Sequence, residues 1–174
     1  VEFIIFIAIV LPIYALLRGS RLRVFLIIAS YIFYGWANPF YCLLLLASTV
    51  LDFNIGRAMQ RSDDERIRRR LLLLSLIGNL GLLGVFKYSG FFVQSINDLG
   101  SLVGIDLGLI PPAIILPVGI SFYTFQTLSY TIDIYQRKME ATDSFLSFAL
   151  FVAFFPQLVA GPIERARDLL PQLM

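Results

Sequence analysis

Apolar runs dominate the chain and fall at lengths that suit membrane helices. Residues 3–17 (FIIFIAIVLPIYALL), 24–36 (VFLIIASYIFYGW) and 40–56 form three such runs, with Pro12 set to kink the first. A fourth, 71–86 (LLLLSLIGNLGLLGVF), follows an arginine-rich stretch. Residues 88–103 place Tyr88, Phe91, Phe92, Ile96, Leu99 and Val103 on one helical face, which predicts a helix lying in an interface or capping a bundle. Gly100, Gly104, Gly108, Pro111 and Pro112 then break the pattern. A fifth span is expected over 113–135, where 23 residues would make about 35 Å of helix. Residues 144–163 (SFLSFALFVAFFPQLVAGPI) are apolar but interrupted by Pro156 and by Gly161-Pro162, which predicts a broken or re-entrant helix.

The fifth span is not uniformly apolar. Gln126, Ser129, Tyr130, Asp133 and Arg137 recur at i, i+3, i+4, i+7 and i+11, one face of a helix. A carboxylate in mid-bilayer costs about 3 kcal/mol on an insertion scale, so such a stripe faces protein or a watery cavity. Two readings stand: interhelical hydrogen bonding with Asp133 and Arg137 paired in the headgroups, or the wall of a functional cavity.

Composition fixes the class. The chain is 58% hydrophobic and 15% charged, against about 25% charged in soluble domains. The expected fold class is all-α: a polytopic transmembrane helix bundle of about 5–6 membrane segments plus interfacial helices, one membrane domain over 1–174. The flank of the first run is Glu2 rather than a basic region, and no small-residue cleavage site follows, so a membrane helix is expected there rather than a signal peptide.

Charge supplies topology. Arg18, Arg21 and Arg23 form one basic loop, and Arg57, Arg61, Arg66, Arg68, Arg69 and Arg70 a second. Two spans separate them, so both lie on one side, which the positive-inside rule makes cytoplasmic: loops 18–23 and 57–70. Arg137 and Lys138 reach the same side. Ser62-x-x-Glu65 fits a capping box, and the arginines after it are expected to be solvated at that surface.

Several chemistries are excluded. With no histidine, the chain cannot supply a Ser–His–Asp triad or a histidine metal site. Its single cysteine, Cys42, permits no internal disulfide. No phosphate-binding Gly-Lys loop, CxxC pair or GxSxG elbow is present, no metal site is expected, and no basic-aromatic block suggests nucleic acid. A membrane enzyme, a transporter or channel, and a non-catalytic assembly subunit remain open. A transporter would show paired inverted halves, which the sequence does not.

Two stretches, LPVGISFYTFQTLSYTIDIYQRK (116–138) and FALFVAFFPQLVAGPIERARDLLPQL (148–173), closely resemble the membrane-bound O-acyltransferases, most closely the bacterial alginate O-acetyltransferase branch, with the teichoic-acid D-alanyl-transfer branch a near relative. The resemblance covers about 52–173 strongly. It implies a helical bundle around a tunnel in which an acyl group, from acetyl-CoA or another acyl donor, passes to hydroxyls of an exported, alginate-like polysaccharide. It implies no bound cofactor, a bacterial inner-membrane location, and periplasmic or membrane partner proteins of an acetylation complex. It also implies a catalytic histidine in a second half, so that this chain is expected to be an N-terminal portion carrying no catalytic residue and inactive alone. The matching positions in the first motif are Pro117, Gly119, Ser121, Phe122, Phe125, Gln126, Ser129, Tyr130, Asp133, Tyr135 and Arg137. In the second they are Phe155, Pro156, Gln157, Gly161, Pro162 and Glu164. Gln126, Ser129 and Tyr130 are expected to line the tunnel, and Asp133, Arg137 and Glu164 to form a polar network near the donor entrance. Pro117, Gly119, Pro156, Gly161 and Pro162 are expected to be structural.

Overall fold

The computed structural model describes all residues except Val1, Ala37, Ala113, Ile115, Val118, Pro162, Ile163, Glu164 and Met174, with the backbone alone at Glu2, Val159 and Ala160. Among the described residues the fold is all-α. In chain order it comprises α1 (Glu2–Leu16), α2 (Gly19–Gly35), α3 (Phe40–Gln60), α4 (Glu65–Leu83), a π segment (Gly84–Tyr88), α5 (Ser89–Leu102), α6 (Ile120–Tyr135), α7 (Phe145–Ala153), α8 (Phe155–Ala160), α9 (Ala166–Leu169) and a closing 3₁₀ turn (Leu170–Leu173).

Two helices are long and apolar enough to cross a membrane: Pro39–Gln60 and the continuous run Glu65–Leu102. The latter has 38 residues, about 57 Å of helix. Only 17% of its most apolar window is buried, so it is no core helix of a water-soluble domain. Large apolar side chains point outward elsewhere too, among them Ile4 and Leu16, each more than 70% exposed. An apolar surrounding accounts for such faces; water does not.

The core sits where α3, α4 and α6 pack on one another and α7 packs on α2 and α3. Tyr123, Tyr130, Phe148 and Phe151 are fully buried there. α3 approaches α6 closely because Gly56 has no side chain; a Cβ would lie 2.7 Å from Tyr130 Cε1. A short turn joins α2 to α3, so the start of α2, the end of α3, the start of α4 and the end of α6 share one end of the bundle, which carries the arginines.

Four expectations are corrected. The fifth span is shorter than 113–135: α6 begins at Ile120, and its 16 residues make about 24 Å. Pro111, Pro112 and Pro117 supply no N–H and push their predecessors out of helical geometry. Gly119, at φ +74°, then turns the chain into the helix. Second, α4 and the helix over 89–102 are continuous, joined through the π segment. Third, the helix N-cap is Asp64 rather than Ser62; its Oδ1 accepts from Arg66 N at 2.8 Å. Fourth, Arg68 is not solvated. It is 3% exposed.

Candidate functional site

One member of the polar stripe of α6, Gln126, meets a break in the neighbouring helix. α7 ends at Ala153, Phe154 adopts φ −57°, ψ 103°, and α8 restarts at Phe155 with Pro156 in its first turn. The cause is local. Pro156 has no N–H for the carbonyl four residues back, at Val152. Phe155 N, freed from Phe151, donates to Ser30 Oγ at 3.4 Å instead. Gln126 answers the orphaned Phe151 carbonyl: its Nε2 donates to it at 2.8 Å and to Gln157 Oε1 at 2.8 Å. Gln126 is 3% exposed, so these bonds replace water at a site that has none to offer. Two glycines let the broken strands of backbone close in. A Cβ on Gly161 would lie 2.7 Å from Gln157 Cα, and one on Gly119 would lie 3.1 Å from the Leu158 carbonyl. Pro117 is buried beside this junction's chain entry.

The other stripe residues diverge. Ser129, half-buried, donates to the Gln126 carbonyl in its own helix at 2.8 Å. Tyr130 is fully buried; its hydroxyl accepts from Thr142 N at 3.2 Å and its ring stacks on Phe148 at 4.4 Å. Asp133 is 5% exposed, and its Oδ2 has no hydrogen-bond partner among the described residues. Arg137 lies past the end of α6 at φ +57°, so it leaves the helical face the spacing assigned it. It pairs with Glu65 at 3.2 Å rather than with Asp133. Glu164 and Pro162 lie outside the described residues.

α6 carries a second polar face that the stripe does not include. Thr124, Thr127 and Thr131 are fully buried, and the last two meet α4. Opposite them is Asp52 on α3, 0% exposed. Ser75 Oγ donates to Asp52 Oδ1 at 2.6 Å, and Asn79 Nδ2 donates to Asp52 Oδ2 at 2.7 Å. Ser75 Oγ lies 3.1 Å from Thr131 Oγ1, and Thr127 Oγ1 lies 3.4 Å from Asn79 Oδ1. The signal was present as threonines at i, i+3 and i+7 and as Ser75 and Asn79 at i, i+4 in an otherwise apolar run. Nothing local, however, says that these positions and Asp52 meet.

At the arginine-bearing end, Arg68 ties three chain segments. Its Nη1 donates to the Met59 carbonyl at 2.6 Å; its Nη2 donates to those of Ile134 and Tyr135 at 2.7 and 3.0 Å. These are last-turn carbonyls of α3 and α6, which carry the negative end of the helix dipole; those of Met59 and Ile134 also accept from Ser62 N at 3.4 Å and Arg137 N at 3.0 Å. Arg68 helps line a cavity of about 330 Å³ with Gln60, Asp63, Arg137, Lys138 and Glu140. Its walls carry both signs of charge. A second cavity, of about 500 Å³ and mainly apolar, lies at the other end between α1, α2, α3 and α8, with Phe6, Phe33, Tyr34 and Leu158 in its walls.

Chemically, this arrangement offers hydrogen-bond donors and a shaped helix break. The described residues hold no cluster of ligands for a metal ion.

No family model matches the chain, and no solved structure matches it. Curated relatives do. A protein of Pseudomonas aeruginosa named probable alginate O-acetylase AlgI is 42% identical over 158 residues, covering 90% of this chain and 30% of the relative. One of the same name from Azotobacter vinelandii is 38% identical over 169 residues, covering 97% and 34%. The peptidoglycan O-acetyltransferase of Helicobacter pylori is 34% identical over 174 residues, covering 86% and 32%. The chain thus spans about a third of the length of the curated relatives it matches, and over that third it is a homologue of O-acetylases, which bears out the acyltransferase resemblance carried by residues 116–138 and 148–173.

Proposed function

We propose that the chain forms part of a membrane O-acetyltransferase that moves an acetyl group onto hydroxyls of an exported, alginate-like polysaccharide. The observation that carries this reading is the 38–42% identity to proteins named alginate O-acetylase over nine-tenths or more of the chain. The Helicobacter relative's name favours a second acceptor, the glycan of peptidoglycan. Both acceptors are polymer hydroxyls, so the reaction class is the same.

In this reading the chain is a multi-pass protein of the bacterial inner membrane, with its arginine-bearing end cytoplasmic. Six segments cross or enter the bilayer: α1, α2, α3, α4, α6 and the broken pair α7–α8. The acyl donor, acetyl-CoA or another activated acyl carrier, is a substrate and approaches from the cytoplasmic end. There the mixed-charge cavity lined by Arg137 and Lys138 is the nearest polar opening, with Asp133 close by in sequence and Glu164 assigned to the same network by motif. In this reading the α7–α8 break is one wall of the transfer path, supported by Gln126, which bonds to it from the stripe that also carries Ser129 and Tyr130. With no histidine in these 174 residues, a histidine-dependent step would fall to residues outside them. Periplasmic or membrane partner proteins complete delivery to the polymer.

Deleting the gene and measuring polymer-bound acetate by NMR tests the reading. Loss of acetate, restored by the intact gene, is expected. Unchanged acetate on both the exported polysaccharide and the peptidoglycan would overturn it.

A further inference from the structure

At the junction of α3, α4 and α6, three oxygen–oxygen contacts share two hydroxyl hydrogens. Ser75 Oγ and Asp52 Oδ1 are 2.6 Å apart, Ser75 Oγ and Thr131 Oγ1 are 3.1 Å apart, and Thr131 Oγ1 lies 3.1 Å from the Leu128 carbonyl. That is a file of three oxygen–oxygen contacts. Each needs one hydrogen, and two hydroxyls supply only two. If Ser75 gives its hydrogen to Asp52 and Thr131 gives its own to Leu128, the contact between Ser75 and Thr131 holds none.

The same junction is short of one positive charge. Asp52 is 0% exposed. No ion pair reaches it among the described residues. Every element packed on it can be checked. On α3, Arg57 pairs with Asp143 at 3.5 Å. On α4, Arg68 is held by the carbonyls of Met59, Ile134 and Tyr135. On α6 the titratable groups are Tyr123, Tyr130, Asp133 and Tyr135, and on the inner turns of α2 they are Tyr31 and Tyr34; none is a cation. α7 has no titratable side chain. An isolated charge at such depth is among the costliest things a fold can bury.

One proton meets both shortages. We propose that Asp52, Ser75 and Thr131 form a proton-binding site, with the proton resident on Asp52 in the packed bundle. The acid's O–H then donates to Ser75, Ser75 donates to Thr131, and Thr131 donates to Leu128, while Asn79 Nδ2 holds the other carboxyl oxygen. Each contact of this file then has its hydrogen, and the buried carboxyl is neutral. A metal cation would neutralise the charge as well. It needs several oxygens turned toward one point, whereas the two Asp52 oxygens each already face one protein group, Ser75 Oγ at 2.6 Å and Asn79 Nδ2 at 2.7 Å. The site joins α6, which carries Gln126, to α3 and α4, so the placing of that helix is linked to one proton. The inference stands apart from the acetyl-transfer reading.

Infrared spectroscopy of the full-length protein in lipid tests it. The difference spectrum between wild type and Asp52→Asn should contain a carboxylic-acid C=O band at neutral pH. Ser75→Ala, which takes away the acceptor of that O–H, should move the same band to higher frequency, and serves if Asp52→Asn folds poorly. A difference spectrum with ionised-carboxylate bands alone would overturn the proposal. So would sodium raising the unfolding temperature of wild type, relative to choline, since that identifies a metal cation as the neutralising charge.

Discussion

Arg68 Nη2 donates to the carbonyl of Ile134 at 2.7 Å, across 66 residues of sequence. With its bonds to Met59 and Tyr135, it holds the ends of α3 and α6 together at the foot of the bundle. Hydrogen bonds to a charged donor contribute about 1.5–3 kcal/mol each, and a buried carbonyl left without a partner costs about 1–3. Arg68→Met should therefore destabilise the protein by about 3 kcal/mol or more. Arg68→Lys should recover only part of this, since a single ammonium cannot span both helix ends as the planar guanidinium does. Thermal unfolding of the detergent-solubilised full-length protein reads the order: wild type, then Lys, then Met. Wild-type stability in Arg68→Met would refute the role.

Gly56 and Gly78 make a paired test of close packing. A Cβ at Gly56 would meet Tyr130 Cε1 at 2.7 Å and Tyr130 OH at 2.9 Å. That ring is clamped by Phe148 and by Thr142 N. A Cβ at Gly78 would meet only the Leu51 Cδ2 methyl, at 2.7 Å, which can rotate away. Gly56→Ala should cost about 1–3 kcal/mol, as overpacking of a filled core does, and Gly78→Ala distinctly less. Unfolding midpoints of the two variants decide the point; the reverse order would contradict it.

Arg137 separates folding from function. Its φ of +57° strains a side-chain-bearing residue by about 1–2 kcal/mol, which glycine avoids. Its ion pair with Glu65 joins side chains that are 58% and 64% exposed, so its loss costs about 1 kcal/mol at most. Arg137→Gly should unfold at or slightly above the wild-type temperature, and Arg137→Ala below it. Acetylation lost in the glycine variant would then report donor binding in the neighbouring cavity, not damage to the fold.

How far the sequence reaches depends on the range of the interaction. Runs of apolar residues bounded by Arg18, Asn38-Pro39 and the Ser62–Glu65 turn place α1 to α4, because periodicity and turn chemistry are local. The break at Pro156 is legible for the same reason. The start of α6 is not. Apolarity continues back to Ala113, and only the prolines and Gly119 show that the chain is not helical there. The stripe through Gln126 and Asp133 is visible because those side chains are conspicuous in an apolar helix. The threonine face is not, since a threonine in a helix can bond its own backbone. Asp52 meets Ser75 and Asn79 across 23 and 27 residues, and Arg68 meets Ile134 across 66. Such pairings are fixed by how helices pack, so a run of arginines reads as solvated surface although its second member after the Asp64 cap, Arg68, lies in the core.

The contact between α6 and the broken α7–α8 pair, the proposed wall of the transfer path, hangs on Gln126. Gln126→Ala leaves the Phe151 carbonyl and Gln157 Oε1 without their donor, a change of about 1–3 kcal/mol confined to the break. A displacement that raised the transfer barrier by about 1.4 kcal/mol would slow it about tenfold. The decisive measurement is polymer-bound acetate, by NMR, from cells making the full-length Gln126→Ala protein at wild-type level. The structure predicts a fall of about tenfold; acetate equal to wild type at equal protein level would contradict the assignment of this helix break to the acetyl-transfer path.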